Sequence, residues 1–290
     1  MSTIRFALIG AGNIGRIYVE AFSHLPDGEI TVVCDAVPAS GEALAASCQA
    51  EFEPNYADAV QRADVDAVIV STPSGTHAEI AVAAAESGKH LLVEKPLDIT
   101  LARVDAIIES ADRAGVILGC VFPLRFSEGV SAAKQAIDAG RLGRLTMADA
   151  YVKWFRPQSY YDGSWRGTWE LDGGGALMNQ SIHTVDALLY LAGPAKRVTA
   201  TTALLAHERI EVEDHCVAII EFENGARGVI EASTCTWSKD GHPARVQLSG
   251  TEGSVFLADE AFEAWDFANE KPEDSEIRNT LMKGQEAGLG

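Results

Sequence analysis

The chain has 290 residues, enough for two domains of ordinary size, and its hydrophobic fraction of 47% can fill a sizeable core. Its 42 acidic residues outnumber its 23 basic residues, for a formal net charge of -19. This excess repels nucleic-acid phosphates and anionic lipids, so we expect no nucleic-acid partner and no membrane partner. No stretch approaches the roughly 20 apolar residues that a membrane-spanning helix needs.

The cysteines and the N-terminus indicate the compartment. The cysteines are odd in number and form no Cys-x-x-Cys pair: Cys34, Cys48, Cys120, Cys216 and Cys235. No basic segment followed by a long apolar run begins the chain, so we expect no secretory signal. Both features favour a cytoplasmic protein with reduced thiols.

The first 121 residues alternate between short apolar runs and longer helical patterns. The predicted strands are Ile4–Ile9, Ile30–Cys34, Ala67–Val70, His90–Val93 and Val116–Val121; the predicted helices are Asn13–His24, Ala39–Ala50, Thr76–Ser87 and Leu101–Ala114. Such alternation predicts right-handed βαβ units and a doubly wound parallel sheet of the Rossmann type. We therefore expect residues 1–121 to form a dinucleotide-binding α/β domain.

Residues 122–290 have a different pattern. Helices are predicted at Ser127–Ala139 and within Gly173–Leu191, and strands at Leu145–Phe155, Val198–Leu205, Val212–Phe222, Arg227–Thr236, Ala244–Leu248 and Ser254–Leu257. Successive β-type runs without intervening helices are typical of an antiparallel sheet. This half is therefore predicted to be an α+β domain that binds substrate and mediates oligomerisation.

A Gly-x-Gly-x-x-Gly motif stands between the first strand and the first helix. Gly10 permits a tight turn, Gly12 lets the backbone approach a pyrophosphate, and Gly15 allows close helix–strand packing. Free N–H groups at the helix start, which includes Asn13 and Ile14, favour phosphate. The motif in this context predicts a dinucleotide site; a glycine-rich turn that binds no cofactor is the alternative.

The acid that ends the second strand indicates which dinucleotide is bound. Asp35 stands 20 residues after Gly15, where a carboxylate can accept hydrogen bonds from both adenosine ribose hydroxyls. Its charge would repel a 2′-phosphate, and no Arg or Lys follows it in residues 36–40. NAD is therefore favoured over NADP.

Two short turns follow the next two strands: Ser71-Thr72-Pro73 and Glu94-Lys95-Pro96. Ligands of open parallel sheets bind outside the carboxyl ends of the strands, so both turns are expected to contact the cofactor. His77, just beyond the first turn, is expected to approach the cofactor too. For Ser71-Thr72-Pro73, an ordinary strand-to-helix turn without a ligand is the alternative.

Lys95 is the strongest catalytic candidate of this half. Its ammonium could hydrogen-bond a substrate hydroxyl and stabilise the developing alkoxide, which makes it a substrate contact as well. Pro96 suggests a rigid turn, with a cis peptide as one option. A structural ion pair between Lys95 and Glu94 is the alternative.

A glycine run at residues 173–175 precedes the second candidate cluster. Histidine side chains ordinarily titrate near neutrality, and an imidazole at His183 could take a hydroxyl proton while hydride leaves the same carbon. Asn179 is four residues earlier, on the same expected helix face, where it can orient the substrate hydroxyl or the imidazole. Asp186 lies near that face. A structural helix histidine is the alternative.

An aromatic and basic segment lies between these clusters. Its predicted substrate-binding residues are Arg156, Tyr160, Trp165 and Arg166. Aromatic faces stack on the C–H surfaces of sugars, and Arg and Tyr tips bond hydroxyls. A subunit interface, where the same residue types are enriched, is equally compatible. No Cys/His quartet, His-Glu-x-x-His motif or carboxylate spacing indicates a metal.

Together these motifs resemble the Gfo/Idh/MocA family of NAD(P)-dependent sugar and cyclitol oxidoreductases, over roughly residues 4 to 257. The Glu-Lys-Pro turn and the glycine run followed by His183 and Asp186 are more specific than the glycine loop. The resemblance implies a Rossmann domain and a large open-faced, mainly antiparallel sheet that pairs subunits into homodimers or homotetramers. It also implies that Lys95 and His183 are the catalytic pair.

Three departures from the family pattern matter. The family commonly has Asp where this chain has Asn179, so proton transfer would depend on His183 alone. Its usual Thr-Pro-Asn is Thr72-Pro73-Ser74 here. Members usually continue through a further helix and strand beyond the point where this chain stops, so we expect the second domain to lack that end.

The sequence therefore predicts hydride transfer between NAD and the secondary hydroxyl or ketone carbon of a sugar, cyclitol or sugar derivative. An NAD-dependent glycosidase of the same family is one alternative, marked by hydrolysis without accumulation of NADH. A non-catalytic NAD-binding regulator is another, which loss of the Lys or the His would have favoured. Both residues are present.

Overall fold

The computed structural model describes residues 3–282. The described residues divide into two compact units, one of residues 3–121 with Thr168–Gly173, the other of Phe122–Gly167 and residues 174–282. No helix in the described part of the chain is long and apolar enough to cross a membrane.

The first unit contains a six-stranded sheet with the order β3-β2-β1-β4-β5-β6, parallel throughout. Its strands are β1 (Ile4–Ile9), β2 (Gly28–Cys34), β3 (Glu51–Glu53), β4 (Ala67–Val70), β5 (His90–Val93) and β6 (Leu118–Cys120). Its helices are α1 (Asn13–Phe22), α2 (Pro38–Cys48), α3 (Tyr56–Ala59), α4 (His77–Glu86) and α5 (Leu101–Ala114). The predicted doubly wound parallel sheet is confirmed.

The central strand β4 is buried along its whole length, as its uninterrupted apolar sequence predicts. The register of the strands sets the edge at which a ligand can bind. Val70 of β4 is paired with both Ile9 of β1 and Val93 of β5. The next residues, Gly10, Ser71 and Glu94, therefore leave the sheet side by side.

Thr168–Gly173 packs within the first unit although it lies far along the chain. The N–H of Gly75 donates to the carbonyl of Leu171 at 2.9 Å, and a Cβ on Gly75 would lie 2.1 Å from the carbonyl oxygen of Glu170. The sequence placed this segment in the second domain because it follows residue 121. Contacts between distant segments, which periodicity does not register, place it in the first unit.

The second unit contains a seven-stranded sheet with the order β13-β12-β11-β7-β10-β9-β8. Its strands are β7 (Leu145–Lys153), β8 (Ala195–Ala203), β9 (His215–Phe222), β10 (Arg227–Ser233), β11 (Arg245–Gly250), β12 (Gly253–Ala258) and β13 (Ala261–Phe267). Its helices are α6 (Glu128–Asp138), α7 (Ile182–Ala192) and α8 (Pro272–Leu281). Only the pair β7–β10 is parallel, so the predicted mainly antiparallel sheet is confirmed.

One face of this sheet carries the core of the second unit. Small and branched side chains such as Ala148 and Leu248 alternate inward and pack with α6 and α7. The opposite face leaves large apolar residues exposed, including Met147 on β7 and Ile219 on β9. The exposed face matches the open face that the resemblance implied.

Several elements differ from the sequence prediction, which contains neither β3 nor α3. The single helix expected within Gly173–Leu191 is a π-helical turn, Ala176–Gln180, followed by α7. The acidic tail after residue 257 contains β13 and α8. Exposed Glu and Asp residues interrupt the apolar pattern of both elements, so the sequence gives little sign of either. The last part of that tail, residues 283–290, lies outside the described residues.

Candidate active site

The three glycines of the loop after β1 have different surroundings. A Cβ on Gly10 would lie 2.6 Å from the carbonyl oxygen of Ser71, and one on Gly15 would lie 2.3 Å from the carbonyl oxygen of Gly10. Gly10 also has a φ of +110°. A Cβ on Gly12 would meet no described atom within 4 Å. Gly12 is exposed and so are Asn13 and Ile14 at the start of α1, so the loop leaves room for a phosphate group at a helix N-terminus.

Asp35 lies beside this loop at the end of β2. One carboxylate oxygen accepts the N–H of Ala11 at 2.7 Å, and the other accepts the N–H of Val37 at the same distance. Each oxygen can accept a further hydrogen bond, and the side chain is half-buried. Asp35 is therefore held in place and can still receive a ribose hydroxyl.

The turns after β4 and β5 are joined by a buried histidine. His77 is 1% exposed; its Nδ1 lies 2.9 Å from the carbonyl oxygen of Pro96 and its Nε2 lies 3.0 Å from that of Thr72. The sequence predicted His77 as a cofactor contact. Because both ring nitrogens already face carbonyls, His77 instead fixes the two turns relative to each other.

Lys95 is half-buried and follows β5, and the Lys95–Pro96 peptide is cis. The neighbouring carboxylate of Glu94 accepts the phenol of Tyr18 at 2.9 Å and the N–H of Lys95 at 3.2 Å. Burial, together with Glu94, raises the pKa of Tyr18, so this phenol remains a donor. Tyr18 and Glu94 thus brace the main chain at Lys95.

In the second unit, a carboxylate from a distant loop holds the start of the π-helical turn. Glu213 accepts the N–H groups of Gly175 and Leu177, both at 3.0 Å. A Cβ on Gly175 would lie 1.8 Å from the carbonyl oxygen of Glu213. The glycine at this position therefore makes room for a protein segment, and the carboxylate satisfies N–H groups at a helix N-terminus.

The π-helical turn changes the relation between Asn179 and His183. Ser181 donates its N–H to the carbonyl of Ala176, five residues earlier, and α7 starts only at Ile182. The two predicted site residues are thus on successive elements rather than on one helix face. Wide turns of this kind occur most often at functional sites.

Asp186 faces an arginine. Its carboxylate accepts two hydrogen bonds from Arg125, at 2.8 and 2.6 Å, and that guanidinium also lies over the ring of Tyr190. The ring of His183 meets Phe122 edge to face, with centroids 6.1 Å apart. Asp186 therefore anchors α7, a role that its spacing from His183 did not reveal.

The predicted substrate-binding arginine Arg156 is attached to the π-helical turn. Its Nε donates to Oε1 of Gln180 at 3.0 Å, and Nε2 of Gln180 donates to Oδ1 of Asn179 at 2.8 Å and to the hydroxyl of Tyr160 at 3.2 Å. Gln180 was not among the predicted site residues, although its position beside Asn179 was a signal.

A buried pair holds the main chain at the same arginine. His207 lies with Nδ1 3.0 Å from the carboxylate of Asp214 and Nε2 2.9 Å from the carbonyl oxygen of Arg156. Burial alone would raise the pKa of Asp214, but backbone N–H donors, with His207, hold it below its usual range. No local sequence pattern links His207 to these partners, so its role is visible only in the structure.

Among residues 3–282, no group of three or more His, Cys, Asp or Glu side chains could hold a metal ion. The glycine loop, with open space at Gly12 and Asp35 beside it, fits a dinucleotide.

Comparison with known proteins agrees with this arrangement. Residues 4–122 match an oxidoreductase family with an NAD-binding Rossmann fold, and residues 130–256 match the Gfo/Idh/MocA C-terminal domain. The fold and the glycine loop thus define an oxidoreductase whose first domain is an NAD-binding Rossmann domain. The chain belongs to the Gfo/Idh/MocA family.

The similar proteins include two curated enzymes and one solved structure. Inositol 2-dehydrogenase of Rhizobium meliloti is 32% identical, covering 87% of this chain and 75% of that protein. The scyllo-inositol 2-dehydrogenase (NAD(+)) of Bacillus subtilis is 31% identical, covering 88% and 73%. The WlbA dehydrogenase of Bordetella pertussis, crystallised with NADH and UDP-GlcNAcA, superposes with a TM-score of 0.92 at 36% identity, covering 96% and 81%. The predicted family, fold class, NAD cofactor and oxidoreductase class are confirmed.

Proposed function

We propose that this chain catalyses hydride transfer between NAD and a secondary hydroxyl or ketone carbon of a sugar, cyclitol or sugar derivative. Dehydrogenases of inositols, and a WlbA dehydrogenase bound to UDP-GlcNAcA, are similar to it over most of their length. The observation that carries the proposal is the register of β1, β4 and β5. It brings the glycine loop and the Glu-Lys-Pro turn to one sheet edge, where such sheets bind ligands.

Each candidate residue receives a role in this proposal. Bound NAD supplies the hydride acceptor for oxidation and the hydride donor for reduction. In oxidation His183 takes the hydroxyl proton as the carbon–oxygen double bond forms, and the Lys95 ammonium stabilises the oxygen. Asn179 carries no titratable group, so it orients the hydroxyl or the imidazole while His183 alone moves the proton.

The cofactor contacts are assigned in the same way. Gly10, Gly12 and Gly15 shape the loop, with Asn13 and Ile14 at the start of the helix that faces the phosphates. Asp35 accepts the ribose hydroxyls, and the turns Ser71-Thr72-Pro73 and Glu94-Lys95-Pro96 border the nucleotide. Support comes from the open space at Gly12 and from the two N–H donors that hold Asp35 beside it.

We also propose a cytoplasmic homodimer or homotetramer joined through the open face of the second sheet. Met147 and Ile219 on that face are 52% and 58% exposed, and burying them against a second copy would remove apolar surface from water. The five free cysteines fit a reducing compartment. Light scattering on the wild type and on Ile219→Asp tests the assembly; an unchanged mass in the variant would contradict this interface.

A substrate screen tests the proposed reaction. Inositols, neutral sugars, acidic sugars and nucleotide-linked sugars are incubated with NAD or NADP, and the absorbance of the reduced cofactor is followed. We expect turnover with NAD on at least one ring substrate. Hydrolysis of a glycoside without net NADH would favour a glycosidase, and turnover with NADP alone would contradict the assignment of Asp35.

A further inference from the structure

Two arginines beside the π-helical turn differ from most others in the chain. Arginines at most other positions form ion pairs with Asp or Glu. Within residues 3–282, Arg156 and Arg166 form no such pair, although the chain carries 42 acidic residues. Two positive charges have therefore been left without a protein carboxylate in a strongly acidic molecule.

Both guanidinium groups lie against the same aromatic ring. The guanidinium carbon of Arg156 is 5.3 Å from the ring centroid of Tyr160, and that of Arg166 is 4.9 Å from it. Trp154 and Trp165 each flank one of them, at 5.2 and 5.1 Å. The two guanidinium carbons are thus no farther apart than the sum of their distances to the Tyr160 ring, about 10 Å, and each guanidinium carries more N–H donors than its contacts in the protein use.

The side-chain groups to which these two arginines donate hydrogen bonds are uncharged. Arg156 donates to the amide oxygen of Gln180 at 3.0 Å, and Arg166 lies 3.3 Å from the hydroxyl of Ser164. Neither contact neutralises a charge. Both side chains are half-buried, so they are reachable from solvent and yet incompletely screened by it.

This arrangement is tied to the candidate catalytic helix. Gln180, which accepts from Arg156, also donates to Asn179, and His183 follows in α7. The main chain at Arg156 is held by His207, which in turn is held by the buried Asp214. The position of the guanidinium is therefore fixed from both its side chain and its backbone.

We propose that the substrate of the dehydrogenase carries an anionic group, a carboxylate or a phosphate, which Arg156 and Arg166 bind together. Planar guanidiniums match the oxygens of both groups with paired hydrogen bonds, and an anion between them relieves their mutual repulsion. This inference rests on the proposed function, because it assumes that the residues around Asn179 and His183 receive a sugar. It restricts the substrate to acidic sugars.

Calorimetric titration of the NADH-loaded protein with glucose, glucuronate and glucose 1-phosphate tests the proposal. These ligands share a ring, but glucuronate has a carboxylate in place of the hydroxymethyl group of glucose, and glucose 1-phosphate carries a phosphate on its anomeric oxygen. They therefore test the two kinds of anion separately. We expect at least one anion to bind about 10- to 100-fold more tightly than glucose. Equal affinity for glucose and both anions would overturn the proposal.

Variants of the two arginines test whether they cause the preference for anionic ligands. Arg156→Gln and Arg166→Gln should each reduce the ratio of anion to glucose affinity by about 10-fold or more, and Arg156→Lys should reduce it less, because it keeps the charge but not the paired donors. Arg144→Gln is the matched control: this exposed arginine precedes β7, at the opposite end of the strand from Arg156. A ratio that persists in both Gln variants would overturn the proposal.

Measurements of turnover distinguish a failure of the anion site from a failure of the proposed dehydrogenase activity. An anion preference that depends on Arg156 and Arg166, without hydride transfer to NAD from any sugar, would sustain the anion site and contradict the dehydrogenase. Turnover of neutral sugars with NAD at the same kcat/KM as their acidic analogues would sustain the dehydrogenase and overturn the anion site.

Discussion

The loop after β1 and the glycine run before α7 use the same residue type for different purposes. In the loop, Gly10 and Gly15 contact neighbouring main chain, while Gly12 faces open space. In the run, the position of a Cβ on Gly175 is occupied by the carbonyl of Glu213. One region leaves backbone uncovered for a ligand; the other uses backbone contact to set the side chains of Asn179 and His183.

The two regions also differ in where their partners come from. Asp35, which holds the glycine loop, is in the same βαβ unit. Glu213, His207 and Asp214, which hold the second region, come from a segment beyond the helix that they position. We therefore expect the first region to be robust to changes elsewhere in the chain, and the second to depend on distant residues.

Among changes outside the catalytic pair, the largest effect is expected from Gly175→Ala. Because its Cβ would lie 1.8 Å from main chain, the π-helical turn must shift and carry Asn179 with it. We expect kcat to fall by at least about 100-fold, as for other misplaced catalytic groups. Gly140→Ala is the control, since Gly140 has a φ of +71° but no described atom within 4 Å of its Cβ position. Equal losses in both variants would contradict the packing argument.

Ion pairs also distinguish the two units. In the second unit Asp274 is 1% exposed, and hydrogen bonds from Arg141 hold its pKa below the usual range. In the first unit Arg5 lowers the pKa of Asp66 to about 2, but both side chains are over a third exposed. We expect Asp274→Asn to cost about 3 kcal/mol of unfolding free energy at neutral pH, and Asp66→Asn far less.

The dependence on pH follows from the direction of these shifts. A carboxyl whose pKa is lower in the folded state stabilises the fold above its unfolded pKa, near 4, and loses that contribution as pH falls through the folded value. Denaturant titrations should therefore show that Asp274→Asn has a lower free energy of unfolding than the wild type at neutral pH. This difference between the two proteins should become smaller as the pH falls. A deficit that is constant from neutral to acidic pH would contradict the role of this charge.

A smaller effect is expected for Asp35→Ala in the first region. The variant loses the acceptor for the ribose hydroxyls, and the N–H of Ala11 loses its partner. Because hydrogen bonds to charged groups contribute about 1.5–3 kcal/mol, the preference for NAD over NADP should fall about 10- to 100-fold in kcat/KM. If Asp35→Ala prefers NAD over NADP as strongly as the wild type does, residues other than Asp35 distinguish the two cofactors.

The first region was largely predictable from sequence, and the reason is physical. Buried parallel strands appear as apolar runs, and the motif that follows β1 needs glycine at Gly10 and Gly15 for main-chain packing. Helix α5 ends before Gly115, as the sequence predicted, because that residue has a φ of +66°. The three-residue strand β3 was missed because it is too short to show periodicity.

The second region was predictable only in its local motif. His183 and Asn179 could be singled out from the glycine run, but the π-helical turn that contains Asn179 depends on Glu213, for which no spacing rule exists. The role of His207 leaves no signal in the sequence, because its partners, Asp214 and the carbonyl of Arg156, meet it only in the folded sheet domain. Long-range hydrogen bonds leave no periodic signal.

The assignment of Lys95 and His183 as the catalytic pair is tested most directly by single-turnover kinetics. Lys95→Ala and His183→Ala are mixed with NAD and the best substrate of the screen, with the exposed Lys196→Ala and His24→Ala as controls. We predict hydride transfer slower by about 100- to 10,000-fold in each site variant, with NAD affinity nearly intact and both controls like wild type. Wild-type rates of hydride transfer in both site variants would contradict the account.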